Sequence, residues 1–391
     1  MADPTREQIL DAARGLVPVL RGRAPEAERI RRIPGETIAD LRAAGLWNIL
    51  KPERFGGVET DYRLMIDVTI ELGRGCAATS WVYINLVAHN WMLPYWPARA
   101  AEDIWGEDRD ALIGSTLVFP AGRLAPADGG YRLTGRWPYA SGVDSSDWMM
   151  LGAIGQGPGD EAPGPRIVLV RAADIEIVDT WHVSGLVGTG SKDVACEDLF
   201  LPGHMVLDMA PSQEGYPPET EGMSDAYRLP LLPLIPHLVA APMIGAAQAA
   251  WDDYAGHLRE QVSTYNRSRV AEHVTVQLKL AEAAQLVEIA RLLVREDCLE
   301  AEALIAARAP LPLIDRARWR RNGAWAARCC VQAVDLIHSA CGARANYLTS
   351  DLQRQHRDIH AAAHQIHLSW DINGAEFGRI AAGLAPGNAL L

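Results

Sequence analysis

Apolar residues recur at steps of three and four through "TREQILDAARGLVPVLRGRAPEAERIRRIPGETIADLRAAGLWNIL", with Pro and Gly as punctuation. That period predicts amphipathic helices. "DYRLMIDVTIELGRG" and "ATSWVYINLVAHNWMLPYW" extend the helical run to about residue 112. From 113 to about 208 the pattern shortens. "YRLTGRWPYAS", "DWMMLGAI", "RIVLVRA", "IEIVDTWHVSGL" and "DVACEDLFLP" are brief, β-rich and broken by Gly, Asp and Pro. They predict a small antiparallel β-domain, with "GQGPGDEAPGP" as a loop. From 209 to 391 long amphipathic stretches return, among them "VTVQLKLAEAAQLVEIARLLVREDCLEAEAL" and "DRARWRRNGAWAARCCVQAVDLIHSACG". The reading is an α+β chain: an N-terminal helical domain (1–112), a central β-domain (113–208) and a C-terminal bundle of the four-helix type (209–391).

Residues 229–251, "LPLLPLIPHLVAAPMIGAAQAAW", carry no charged side chain, and a spanning helix needs ~20 apolar residues. Pro230, Pro233 and Pro236 break that run where a span would have to begin. A buried bundle helix from about Pro242 is expected, and no membrane. The net charge of -12 across 391 residues disfavours nucleic acid, itself a polyanion. The six cysteines show neither CxxC nor zinc-ligand spacing, which points to reduced thiols. The N-terminus lacks the apolar core of a signal peptide, so a cytoplasmic location is expected.

Familiar cofactor motifs fail. "GLVGTGSK" has Ser191 between the last Gly and Lys192, so it is not a P-loop. No GxGxxG opens a helix after a strand, so no nicotinamide site is expected. His356, His360, His364 and His367 follow at steps of four, four and three, which on a helix form one face. A di-iron site of the ferritin type needs Glu-x-x-His pairs, which the chain lacks, and no metal is expected.

"LKPERFGG" (50–57), "GCAATSWVYINLVAHNWML" (75–93), "GGYRLTGRWPYASGVDSSDWMMLGA" (129–153), "GLVGTGSKDVACEDLFLP" (185–202) and "LQRQHRDIHAAAHQIHLSWD" (352–371) occur in this order. Together they resemble the oxygenase components of group D two-component flavin-dependent monooxygenases, the group of the 4-hydroxyphenylacetate hydroxylases, over essentially the whole chain. The resemblance implies the acyl-CoA dehydrogenase fold, a homotetramer, and reduced flavin (FMNH2 or FADH2) supplied by a separate NAD(P)H flavin reductase. It implies O2 as co-substrate, a C4a-hydroperoxyflavin and hydroxylation of a small aromatic, phenolic or polycyclic substrate. Relatives also oxidise nitrogen or sulfur, so the atom attacked is open.

The same resemblance places Ser141 beside the flavin N5, and Trp137 and Gly142 in the flavin-binding block. It makes His364 the residue that steadies the peroxide or takes the phenol proton, with His360 and His367 as alternatives. His89 is placed in the substrate pocket, and Arg267 and Arg269 at the flavin phosphate of a neighbouring subunit. Arg357 and Asp358 are read as a structural pair. Several of the twelve tryptophans would suit the dry walls such a site needs.

Two other readings stand beside this one. An acyl-CoA dehydrogenase needs a carboxylate base for the substrate α-proton. The corresponding stretches, "HAAAHQIHLS" and "LPLIPHLVAAP", contain no Asp or Glu. A flavin-free helical binding protein is the other.

Overall fold

The computed structural model describes residues 4–157, 162–209, 223–263 and 267–387. Part of the expected "GQGPGDEAPGP" loop lies outside them. Helix α1 (Arg6–Ile30) opens on a capping box in which Thr5 and Gln8 satisfy each other's backbone amides. It is followed by α2 (Gly35–Ala43), α3 (Tyr62–Gly73), α4 (Ala77–Met92) and α5 (Ala98–Trp105). Asp61 caps α3 by accepting the Leu64 amide at 2.7 Å.

Among the described residues eight strands form one sheet: β1 (Ile113–Thr116), β2 (Gly122–Ala127), β3 (Gly130–Ala140), β4 (Trp148–Gly155), β5 (Gly164–Arg171), β6 (Glu176–Val178), β7 (Lys192–Pro202) and β8 (Val206–Asp208). Their order is β6-β7-β3-β2-β4-β5-β8, with β1 on β4. The sheet is mixed rather than purely antiparallel, because β4 pairs in parallel with both β1 and β2. Turn signals in the sequence mark strand ends but not which non-neighbours pair. One face buries Leu133, Trp137, Met149, Leu151, Val168, Val170 and Val194 as a core of its own.

The C-terminal helices are α6 (Ile235–Leu258), α7 (Val274–Ala306), α8 (Leu313–Cys341), α9 (Asp351–Ala362) and α10 (Trp370–Ala381). Helix α6 begins a full turn and more before Pro242, which lies inside it. Pro236 sits in the first turn, where its missing N–H costs nothing. Buried almost all round, α6 packs on α3 through bare backbone: a Cβ at Gly245 would lie 2.1 Å from the Ile70 carbonyl oxygen. No helix among the described residues is long and apolar enough to cross a membrane. All six cysteines are unpaired.

Candidate active site

The site grows from a kink in β3. The ladder to β7 slips between Trp137 and Ala140, and Tyr139 adopts a left-handed φ of 67°. Such a bulge bends the strand and redirects side chains. Tyr139 turns outward and is 65% exposed, its ring edge-on to Trp181. Ser141 turns inward and is buried. Gly142 follows at φ 74°, and a Cβ there would strike Val82 of α4 at 2.8 Å.

The "WPYASGVD" and "GTGSKD" blocks, some fifty residues apart, are stapled together here. The Gly142 amide donates to the Thr189 carbonyl at 3.0 Å. The Ser141 and Ser191 hydroxyls lie 2.8 Å apart. Lys192 reaches the Asp144 carboxylate at 2.6 Å. The indole N–H of Trp81, on α4, donates to Ser141 Oγ at 3.1 Å.

While the Thr189 hydroxyl donates to the Leu186 carbonyl, proton count sets the direction of this network. The Thr189 hydroxyl donates to the Leu186 carbonyl at 2.8 Å, since a carbonyl only accepts. Ser191, 2.7 Å away, must then donate to Thr189, and Ser141 must donate to Ser191. Ser141 therefore has its one proton turned inward and one lone pair left over. The order can reverse: the Leu186 carbonyl also accepts the Thr189 amide at 3.1 Å, so Thr189 can release it and pass a donor back along the chain to Ser141.

Behind the relay stands Asp358 of α9. Its Oδ1 accepts the Leu186 amide at 2.6 Å, holding Leu186 at φ 52°. Burial raises its pKa to about 7, against the Leu186 hydrogen bond. Arg357 does not pair with Asp358. It bonds Glu28 at 2.8 Å and the Ser184 carbonyl, tying α9 to α1 and to the same loop.

His89 is buried on α4 and its Nδ1 lies 2.6 Å from the Ile113 carbonyl. The carbonyl requires Nδ1 to carry the proton, so Nε2 is the accepting nitrogen. Burial pushes the pKa down to about 4, partly offset by that bond. Ile113 opens β1, and Ser115 of β1 bridges Ser141. His89 and Ser141 are thus two strand residues apart through β1. Along α4, Trp81 and His89 are separated by about 12 Å of helix rise.

The histidine stripe is not one helical face. Helix α9 ends at Ala362. His356 and His360 lie on it and face Asp335 of α8. His364 follows in an exposed turn, its Nδ1 2.8 Å from the His360 carbonyl. His367 turns inward, where burial, with Arg320 nearby, pushes it down to about 3. His364 is therefore exposed and His367 turned inward, so the expected single face is not formed.

Trp137 is fully buried in the sheet core, its ring pressed on Gly122 and Gly135 and its N–H on the Gly152 carbonyl. The bulge between Trp137 and Ala140 breaks strand alternation, so Trp137 shares the sheet core with Ala140 rather than a face with Ser141, and the aromatic exposed beside Ser141 is Tyr139. Of the twelve tryptophans, Trp81 alone bonds Ser141. Arg267 and Arg269 are exposed on the loop between α6 and α7. No contact among the described residues joins them to Ser141. Ser191, Thr189 and Tyr139 escaped the sequence reading as site residues, although all three stand in blocks it singled out.

Residues 3–96 match the family described as acyl-CoA dehydrogenase, N-terminal domain, and 237–370 its C-terminal domain. The chain is 34% identical to the oxygenase component of an FADH2-dependent resorcinol hydroxylase from Rhizobium sp. (strain MTP-10005), over 97% of this chain and 95% of that one. The HsaA monooxygenase structure from M. tuberculosis superposes with a TM-score of 0.92 at 30% identity, covering 99% and 100% of the two chains. XiaF from Streptomyces sp., in complex with FADH2 and glycerol, gives 0.91 at 27% identity, covering 99% and 98%. The chain therefore belongs to the flavin-dependent monooxygenases built on the acyl-CoA dehydrogenase fold, and is an enzyme, the oxygenase component of a two-component system.

Proposed function

We propose that the enzyme hydroxylates a small aromatic, phenolic or polycyclic molecule with O2, using reduced flavin delivered by a separate NAD(P)H-dependent reductase. The observation that carries this reading is Ser141, a buried hydroxyl held by Trp81 and Ser191 beside an exposed aromatic ring. These residues fit a reduced flavin. Tyr139 offers a face for a planar ring system, Gly142 leaves bare backbone where a Cβ would clash, and the hydroxyl relay supplies a switchable donor without a charge. A bound reduced flavin would supply the electrons that activate O2, with one oxygen atom passing to substrate and the other leaving as water.

The chain's own residues then have distinct tasks. Ser141 holds a hydrogen bond at the flavin edge, and the relay behind it sets whether Ser141 donates or accepts. Trp81, Val82 and Leu86 of α4 exclude water on that side. His89, neutral above about pH 4, accepts a hydrogen bond from a substrate hydroxyl through Nε2. His364, whose Nδ1 is anchored on the His360 carbonyl, presents Nε2 as proton acceptor at the rim. Arg267 and Arg269 meet the flavin phosphate of a neighbouring subunit in a homotetramer, the guanidinium fork suiting phosphate.

Stopped-flow absorbance tests the reading. Protein mixed anaerobically with reduced flavin, then with oxygenated buffer, is expected to show a near-ultraviolet transient before oxidised flavin appears. Oxidation as fast as that of free flavin, with and without phenolic substrates, would overturn it.

A further inference from the structure

We propose that Asp335, His356 and His360 form a binding site for one divalent transition-metal ion of the zinc class, clamping α8 to α9. The inference is independent of the flavin reading. His356 and His360 stand one turn apart on α9, and their Nε2 atoms lie 3.0 and 2.8 Å from the same Asp335 oxygen. One ligand atom from each residue falls within 4.8 Å of the others. A tetrahedral ion with bonds of about 2.0–2.2 Å holds its ligand atoms about 3.3 Å apart, so small side-chain rotations open room for it. Two imidazoles and one carboxylate match the ligand preference of zinc and its neighbours over that of magnesium or calcium.

The His338 ring lies against that of His356, centroids 4.3 Å apart. A neutral ring is the ligating form. In the metal-free arrangement both Nε2 atoms donate to the carboxylate. Binding shifts each ring to its Nδ1–H tautomer, and the ion replaces two hydrogen bonds with bonds of its own. His338, one turn from Asp335 on α8, or a water is left for the fourth position. Asp335 and His356 lie 21 residues apart in sequence, on separate helices, so the ion would cross-link the bundle.

The site has a position that matters. The face of α9 opposite the cluster carries Asp358 to the Leu186 amide, and the His360 carbonyl anchors His364. An ion on His360 therefore fixes the turn that bears the rim histidine.

The test uses untagged full-length protein stripped with chelator, then titrated with Co2+ and, in competition, Zn2+. Uptake of one Co2+ per chain with the visible absorption of a tetrahedral site is expected, displaced by Zn2+. Removing a partner outside the ligand set already costs tenfold or more, so Asp335→Asn and His360→Gln are each expected to weaken binding at least about tenfold. His204→Gln, which removes another histidine–carboxylate pair, is expected to leave the titration unchanged. Asp335 and His360 are half-exposed, so both variants fold, and circular dichroism checks this. No uptake of either ion, or uptake that Asp335→Asn and His360→Gln leave unaltered, overturns the proposal.

Discussion

The hydroxyl oxygens of Ser141 and Ser191 lie 2.8 Å apart, on blocks some fifty residues distant in the chain. The proton order derived above makes Ser191 the switch behind Ser141. Ser191→Ala cuts the relay without touching the first hydroxyl. Its oxygenating intermediate is expected to decay faster than wild type by roughly tenfold, the scale of one buried hydrogen bond. Ser141→Ala is expected to cost more. Stopped-flow decay rates at one flavin concentration check both.

Trp81→Phe keeps an aromatic ring of similar shape and removes the one N–H donated to Ser141. Flavin affinity is expected to hold within about twofold, while intermediate lifetime falls by an amount comparable to Ser191→Ala. Equilibrium titration with reduced flavin beside the kinetic trace separates the two effects.

Burial makes Asp358 hold its proton to about pH 7, against 3.8 for the free group. The folded state binds more protons in that window, so this group's contribution to stability is present at low pH and lost as pH rises through 7. Asp358→Asn keeps an acceptor for Leu186 without the charge. At pH 8 it is expected to melt at or above the wild-type temperature, with the difference shrinking toward pH 4. Thermal melts across that range decide it.

His89 has the opposite sign. Its folded value of about 4 lies below the ordinary 6.5. The unfolded chain binds the extra proton, so stability present above pH 6.5 is lost as pH falls toward 4. His89→Gln is expected to flatten acid unfolding in that window. It is also expected to raise KM for a phenolic substrate more than it lowers kcat, because the role assigned to it is to hold the hydroxyl.

Helices α3 and α6 touch at Gly73 and Gly245. Gly245→Ala drives a methyl into the Ile70 carbonyl and must push the helices apart. A loss of about 1–3 kcal/mol or more is expected, seen as a melting temperature lower by several degrees.

Much of this was legible in one dimension. Helical period and short β runs marked the elements, and the blocks holding Ser141 and Ser191 stood out together. Their contact did not, because a hydrogen bond between residues 141 and 191 leaves no periodic trace. The same holds for Asp335, the carboxylate missing from the histidine stripe, which arrives from another helix. The burial of Trp137 and exposure of Tyr139 were hidden for a related reason, because the bulge between Trp137 and Ala140 decides which aromatic of that block faces out. The stripe itself broke because α9 ends at Ala362, with no Gly or Pro to announce it.

Helix α4 contacts Ser141 through Trp81 and the Ile113 carbonyl through His89, with about 12 Å of rigid rise between. It works as a ruler. One residue added or removed between those marks would rotate His89 by about 100° and slide it about 1.5 Å along the axis. Changes in substrate size are therefore expected to arise from side chains lining the gap, while the eight-residue interval itself stays the fixed gauge of the enzyme.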